Sequence, residues 1–326
     1  MYSKIIVPLD GSPIAEGILP YVRTFARACN APVELLHVIT PDVVDALTDA
    51  AHQRYADDVE SDLRRHGLAY LTPLAGTLPK PISVECVVRV GNAADAIAEE
   101  GKPGTLVAMA THGRSGVQRW LLGSVTEKVV HSVRSDLLLA RGGRKTQLGE
   151  ASLTSVLVPL DGSAVAETIL PAVTALAKLM RLRVILFRAC SVPNAFYAAD
   201  EYVPNMGEFI ERVKDDARAY LEAKAEFLQS QKVATEISTV LVEGDGAAEI
   251  IDFVRETPNN LVAMSTHGRS GVRRLLGSVT DRVVRHSWDP VLIVPPALTL
   301  VEASSRNDVG TLNSVAAAGE SSRTVL

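Results

Sequence analysis

Glycine, arginine, histidine and serine crowd into one stretch of this chain: Ala110-Thr-His-Gly-Arg-Ser-Gly, then Val117-Gln-Arg-Trp-Leu-Leu, then Gly123-Ser124. Glycines ahead of a helix let backbone N–H groups approach an anion, and the helix N-terminus adds unsatisfied amides and the positive end of its dipole. Arg114 and Arg119 supply charge of the matching sign. The chemistry such a stretch supports is phosphate binding. A competing reading needs no ligand: the glycines are turn residues, and Ser124-Val-Thr-Glu127 is a capping box.

Asp10-Gly11-Ser12, just after the first apolar strand run, Ile5-Ile-Val-Pro-Leu, is a second candidate. The carboxylate can accept from a ribose or an exocyclic amine. Alternatively the segment is a strand-to-helix turn, with Ser12 as N-cap and Pro13 at the first helical position. A third segment, Val90-Gly91-Asn92-Ala93, reads better as a turn and helix cap than as a pocket wall. His112 has no second His, Cys or carboxylate at metal-ligand spacing, so it reads as a residue that orients its loop. No metal site and no catalytic residue is assigned.

Each of these segments occurs twice. Val7 to Pro20 and Val158 to Pro171 agree at 11 of 14 positions with an offset of 151, and Thr111 to Val117 returns as Thr266 to Val272 with an offset of 155. Repetition at one domain length marks a duplicated domain, not a solenoid. The second copy supplies Asp161-Gly162-Ser163, Glu243-Gly244-Asp245-Gly246, His267, Arg269, Arg273, Arg274 and Gly277-Ser278, with Ser278-Val-Thr-Asp281 as a near-capping box. It gains four residues midway and loses one inside its glycine-rich stretch.

In each copy, short β-rich apolar runs alternate with longer helical patterns, which predicts parallel strands joined by crossover helices. The first copy's strands fall at 4–8, 33–39, 83–90, 105–110 and 136–140, the second's at 155–159, 183–188, 236–242, 260–265 and 291–294. Helices are expected at 13–29, 50–68, 93–99 and 124–133, with counterparts at 164–180, 207–231, 247–255 and 278–287. Pro20 and Pro171 fall inside the first helix of each copy and should kink it. The runs Leu106-Val-Ala-Met-Ala and Leu261-Val-Ala-Met-Ser lack alternation and belong in the middle of a sheet. The fold class is therefore α/β, two tandem doubly wound domains of five parallel strands with helices on both faces. Such sheets bind ligands at the carboxyl ends of their strands, where all three candidate segments lie.

The domains are placed at 1–147 and 152–298, joined by the polar, glycine-bearing stretch from Arg141 to Ser152. Residues 299–326, above all from Ala303 onward, are expected to be disordered. The loop carrying Phe196, Tyr197 and Tyr202 reads as packing over its own domain, or as a lid. A net charge of −5, with 47% apolar and 22% charged residues, argues against nucleic acid or an anionic membrane as partner. The apolar start is too short for a signal peptide and no long apolar run follows, so a cytoplasmic location is expected. Cys29, Cys86 and Cys190 form no CxxC and do not coincide between copies, which suggests inert thiols.

Taken together, these residues resemble the universal stress protein family, and the resemblance covers both copies, at about 1–141 and 152–296. Nucleotide-binding members of that family carry an Asp after the first strand and a pattern G-x2-G-x9-G-[ST] after the fourth that wraps the phosphates of ATP. The resemblance implies that Asp10, Val38, Met109, Ala110, Gly113, Gly116, Gly123 and Ser124 line a site in the first copy, with Arg114 beside them. Asp10 and Val38 would hold the adenosine end, and the glycines and Ser124 the phosphates. The weaker second set is Asp161, Ala189, Met264, Ser265, Gly268, Arg269, Gly271, Gly277 and Ser278. Ala110 and Ser265 stand where the pattern has its first glycine, and the second copy has eight residues, not nine, between Gly268 and Gly277. The implied ligand is ATP, or AMP or ADP, with or without Mg²⁺, bound by a stress-response sensor or regulatory module. The implied alternatives are a nucleotide-independent dimerisation protein and a slow ATPase. The family's domains commonly pair through their last strands, which implies an intramolecular pseudo-dimer of Leu137–Ala140 beside Val291–Val294 and leaves room for a further homodimer.

Overall fold

Runs such as Ile5-Ile-Val and Leu106-Val-Ala-Met are apolar on both faces, so they are stable only as strands covered by helices on both sides. The computed structural model describes residues 1–48, 56–111, 122–142, 149–191, 206–233, 236–265 and 277–295, and places every such run in one ten-stranded sheet. The first repeat contributes β1 (Lys4–Pro8), α1 (Leu19–Cys29), β2 (Val33–Ile39), α2 (Pro41–Leu47), α3 (Ala56–Ala75), β3 (Val84–Val90), α4 (Ala93–Glu100), β4 (Thr105–Ala110), α5 (Ser124–Ser132) and β5 (Asp136–Ala140). The second contributes β6 (Ser155–Pro159), α6 (Ala164–Glu167), α7 (Leu170–Met180), β7 (Arg183–Cys190), α8 (Met206–Ser230), β8 (Ile237–Glu243), α9 (Gly246–Glu256), β9 (Asn260–Ser265), α10 (Ser278–His286) and β10 (Val291–Val294).

The strand order is β3-β2-β1-β4-β5-β10-β9-β6-β7-β8, parallel within each repeat. The one antiparallel junction joins the repeats, with Leu139 opposite Val291, Leu138 opposite Leu292 and Leu137 opposite Ile293. Helices α1, α3, α7 and α8 cover one face over a core that includes Phe25, Leu71, Leu138, Leu176 and Leu292. Helices α4, α5, α9 and α10 cover the other, over Ile97, Val129, Leu139, Val283 and Ile293. Both apolar layers run unbroken from one repeat into the other.

The connection is fastened to the first repeat. Ala151 donates its amide to the Pro20 carbonyl at 3.1 Å, Thr24 donates its hydroxyl to the Ala151 carbonyl at 3.0 Å, and the buried Arg23 donates to the Gly149 carbonyl at 3.0 Å. At the far edge, Arg64 of α3 donates to the Val88 carbonyl of β3 at 3.0 Å, occupying an acceptor that an open edge would otherwise present.

The first helix of each repeat differs from the expectation. In place of one kinked helix there are two pieces, a 3-10 turn at Ala15–Ile18 before α1 and the short α6 before α7. Pro20 and Pro171 therefore sit in the opening turn of a new helix, where a missing N–H costs nothing. The helix expected at 50–68 is α3, running later, from Ala56 to Ala75, and Pro41–Leu47 forms the short α2, for which no helix was expected. Residues 143–148 of the connection, the aromatic loop with Phe196, Tyr197 and Tyr202, and the tail from 296 lie outside the described residues. Among the described residues no helix is long and apolar enough to cross a membrane.

Candidate functional site

Within the first repeat the strand order reverses between β1 and β4, so the chain leaves these neighbouring strands in opposite directions and opens a crevice at their carboxyl ends. A cavity of about 270 Å³ occupies it. Leu9 and Asp10 after β1, Leu36 and Val38 of β2, and Met109 and Ala110 of β4 form its floor, Ala93 and Ile97 of α4 one wall, and Gly123 to Thr126 the opening of α5. Of the residues singled out in this repeat, Asp10, Val38, Met109, Ala110, Gly123 and Ser124 thus converge on one space. Gly113, Arg114 and Gly116, with His112 and Arg119, lie outside the described residues.

The turn after β1 is locally determined. Gly11 has φ +84°, a conformation that costs a side-chain-bearing residue, and this lets the Asp10 carboxylate accept from the Ser12 amide at 2.9 Å while Ser12 accepts from the Ala15 amide at 3.1 Å. Gly162, Asp161 and Ser163 reproduce the arrangement, with bonds of 2.9 and 3.1 Å. Asp10 is therefore a turn residue and a cavity-lining residue at once. Ser163 is the N-cap of α6, but in the first repeat the helical turn begins at Ala15 with Ile14 as its N-cap, so neither Ser12 nor Pro13 takes the place expected of it.

The capping-box reading of α5 and α10 does not survive. Their N-caps are Gly123 and Gly277, one residue before each serine, and neither has a side-chain cap. Gly123 takes that place because its amide is already bonded to the Thr111 carbonyl at 2.9 Å, which leaves its own carbonyl to accept the first helical bond, from Glu127 at 2.9 Å. The Gly123 amide is consequently engaged. The amides of Ser124, Val125 and Thr126, in the first turn of α5, have no acceptor among the described residues, and these three residues line the cavity. Thr126 donates its hydroxyl to the Ala110 carbonyl at 3.2 Å, which fixes α5 against the end of β4.

The segments after β3 and β8 are turn and cap. Gly91 and Gly244 take φ of +150° and +153°, Asn92 accepts from the amides of Ala94 and Asp95, and Asp245 accepts from that of Ala248. That last bond, together with Arg282, holds the Asp245 carboxyl below its ordinary range.

The second repeat forms a smaller cavity of about 150 Å³, lined by Asp161, Phe187, Ala189, Met264, Ser265, Gly277 and Ser278 among others. Phe187 replaces Leu36 and packs against Phe253 at 5.4 Å between ring centres, while the Ser265 and Thr168 hydroxyls bond each other at 2.8 Å. Gly268, Arg269 and Gly271, with His267, Arg273 and Arg274, lie outside the described residues.

Composition and spacing did not reveal what stands behind the β1 turn, on the opposite face of the sheet. His37 donates from Nδ1 to the Leu9 carbonyl at 2.7 Å and meets Tyr70 edge-on, and Tyr70 donates to Glu16 at 3.1 Å. Burial first, then the Glu16 carboxylate, push the Tyr70 hydroxyl well above the ordinary phenol range. The second repeat substitutes Arg188 over Tyr220, with Tyr220 and Lys224 both bonded to Glu167 at 2.9 and 2.7 Å. Only the fold brings these distant positions together. Among the described residues no group of three or more His, Cys, Asp or Glu side chains is placed to hold a metal ion.

Comparison with known proteins bears on the whole of this arrangement. A family model described as the universal stress protein family matches residues 1–141 and again 153–295. A universal stress protein of Mycolicibacterium smegmatis is 23% identical over 296 residues, covering 90% of this chain and 97% of its own. Universal stress protein YxiE of Bacillus subtilis is 30% identical over 148 residues, 43% of this chain and all of its own. Among solved structures, a universal stress protein from Archaeoglobus fulgidus superimposes with a TM-score of 0.68 at 19% identity, covering 91% of this chain and 100% of the other.

Proposed function

The chain belongs to the universal stress protein family, and from that premise we propose that it binds ATP, or the related AMP or ADP, in the first-repeat cavity and acts as a stress-response sensor or regulatory module. The observation that carries this reading is the opening of α5. Three residues whose amides have no acceptor among the described residues, Ser124 to Thr126, line a cavity whose other lining side chains are apolar except for one carboxylate, Asp10.

The residues suit an adenine nucleotide part by part. Leu36, Val38, Ile97 and Met109 offer an apolar slot for a purine, Asp10 an acceptor for a ribose hydroxyl, and the α5 amides donors for phosphate. In this proposal Gly113, Arg114 and Gly116 add phosphate contacts. Because Asp10 is the only carboxylate among the lining residues, Mg²⁺ enters as the nucleotide's own counterion. The narrower second cavity and its mutually bonded hydroxyls support a structural role for the second repeat. The domains so assigned, 1–147 and 152–298, form an intramolecular pseudo-dimer through β5 and β10.

Isothermal titration of the full chain with ATP and Mg²⁺ tests this. Binding at a single site is expected, abolished by Val38→Trp, which fills the first cavity, and retained in Ala189→Trp, which fills the second. No heat from the wild type, or unchanged affinity in Val38→Trp, overturns the proposal.

A further inference from the structure

The lining of the first cavity comes from the first repeat, and its β4 floor is paired to β5, the strand that meets the second repeat. Met109 and Ala110 of β4 pair with Leu139 and Ala140 of β5, and the ladder continues one step, Thr111 donating its amide to the Ala140 carbonyl at 2.9 Å. Arg141 follows directly after the end of β5, next to the bond from Thr111 to Ala140, and the Thr111 carbonyl in turn receives the Gly123 amide at the mouth of α5. Side chains alternate along a strand. Leu137 and Leu139 belong to the layer under α4 and α5 and Leu138 and Ala140 to the other, so Arg141 follows on the cavity face.

The Arg141 guanidinium lies over the indole of Trp288, 4.0 Å from the ring centre. Trp288 belongs to the second repeat, in the turn between α10 and β10, and is 49% exposed. Among the described residues Arg141 has no carboxylate partner. Its charge reaches its neighbours: burial first, then Arg282, Arg141 and Arg285, hold the His286 imidazole below its ordinary value. At the offset of 154 that aligns the last strands, Pro295 replaces Arg141 and Arg134 replaces Trp288. The second cavity therefore has no such arm.

We propose that Arg141, held by Trp288 of the second repeat, binds the phosphate groups of the ligand in the first cavity, so that this site is built from both repeats. The inference rests on the nucleotide reading of that cavity. Stacking occupies one face of the guanidinium and leaves its edge free to donate two parallel bonds to a phosphate, while fixing a side chain that would otherwise be ordered on binding.

Calorimetric titration of the full chain with ATP and with adenosine, for wild type, Arg141→Met, Arg141→Lys, Trp288→Ala and Trp288→Phe, decides it. Arg141→Met is expected to weaken ATP about tenfold or more, with adenosine affinity unchanged. Trp288→Ala should weaken ATP by roughly two- to fivefold, Trp288→Phe should restore most of that loss, and Arg141→Lys should fall between wild type and Arg141→Met. Wild-type ATP affinity should also fall more steeply with added NaCl than that of Arg141→Met. Unchanged ATP affinity in Arg141→Met, an equal loss for adenosine, or a Trp288→Ala protein that binds like wild type each overturns the inference while leaving the nucleotide site standing. A wild type that binds neither ligand overturns both.

Discussion

Asp136 opens β5 with its carboxylate largely withdrawn from water and accepting from the Tyr2 hydroxyl at 3.0 Å. Burial outweighs that bond and raises its pKa from 3.8 to about 6. The sign follows from proton counting: between these values the folded state binds more protons than the unfolded one, so the group's contribution to stability falls as pH rises through this window and is flat above it. The cost at neutral pH is at most about 3 kcal/mol. Asp136→Asn should remove that slope, so urea unfolding of the variant relative to wild type should show a stability gain at pH 7.5 that shrinks towards pH 4. At this scale the site was partly legible. Asp10 and Gly123 stand out because each falls in a phrase that recurs in the second repeat, although each also serves a turn or a cap. Leu36 and Ile97 line the same cavity but read as ordinary core, and Ala93 reads as part of a turn and cap, since composition does not say which side of an apolar residue is left uncovered. Ser124 was misread because the bond from the Gly123 amide to Thr111, which moves the cap back by one residue, joins positions the sequence shows only as distant.

Strands were more legible than helices. A buried parallel strand announces itself by a short apolar run between turn residues, and β1, β2, β4, β5, β6, β9 and β10 begin and end where those runs do. The break between the Ala15–Ile18 turn and α1 is hidden because a 3-10 turn keeps nearly the same apolar spacing as an α-helix, so the run from Pro13 to Cys29 looks continuous. The position of Pro20 has a measurable consequence. In a helix interior proline costs about 3 kcal/mol, so on the kinked-helix reading Pro20→Ala would stabilise strongly. At the second position of α1 the ring fits, and Pro20→Ala is expected to shift the urea midpoint by an amount corresponding to less than about 1 kcal/mol. A gain of several kcal/mol would restore the single kinked helix.

For the molecule as a whole, both apolar layers cross the junction of β5 and β10, and the connection at Gly149–Ala151 is bound along α1. The described body, Met1–Pro295, is accordingly expected to unfold in one cooperative transition. Leu138 and Leu292, opposite each other and fully buried, are where this shows best. Leu138→Ala should cost about 2–5 kcal/mol and lower a single calorimetric peak, whereas a peak that splits in two would mean that the repeats unfold separately. Within the antiparallel pair, Leu138 and Leu292 are separated by the whole of the second repeat, and on the ribosome that distance becomes time. At about 5–20 residues per second, β5 is made roughly eight to thirty seconds before its partner strand. Throughout that interval the nascent first repeat carries an unpaired strand edge that is bare, apolar and almost palindromic in side-chain pattern, Leu137-Leu-Leu. Slower translation between β5 and β10 is therefore expected to prolong the exposure of that edge.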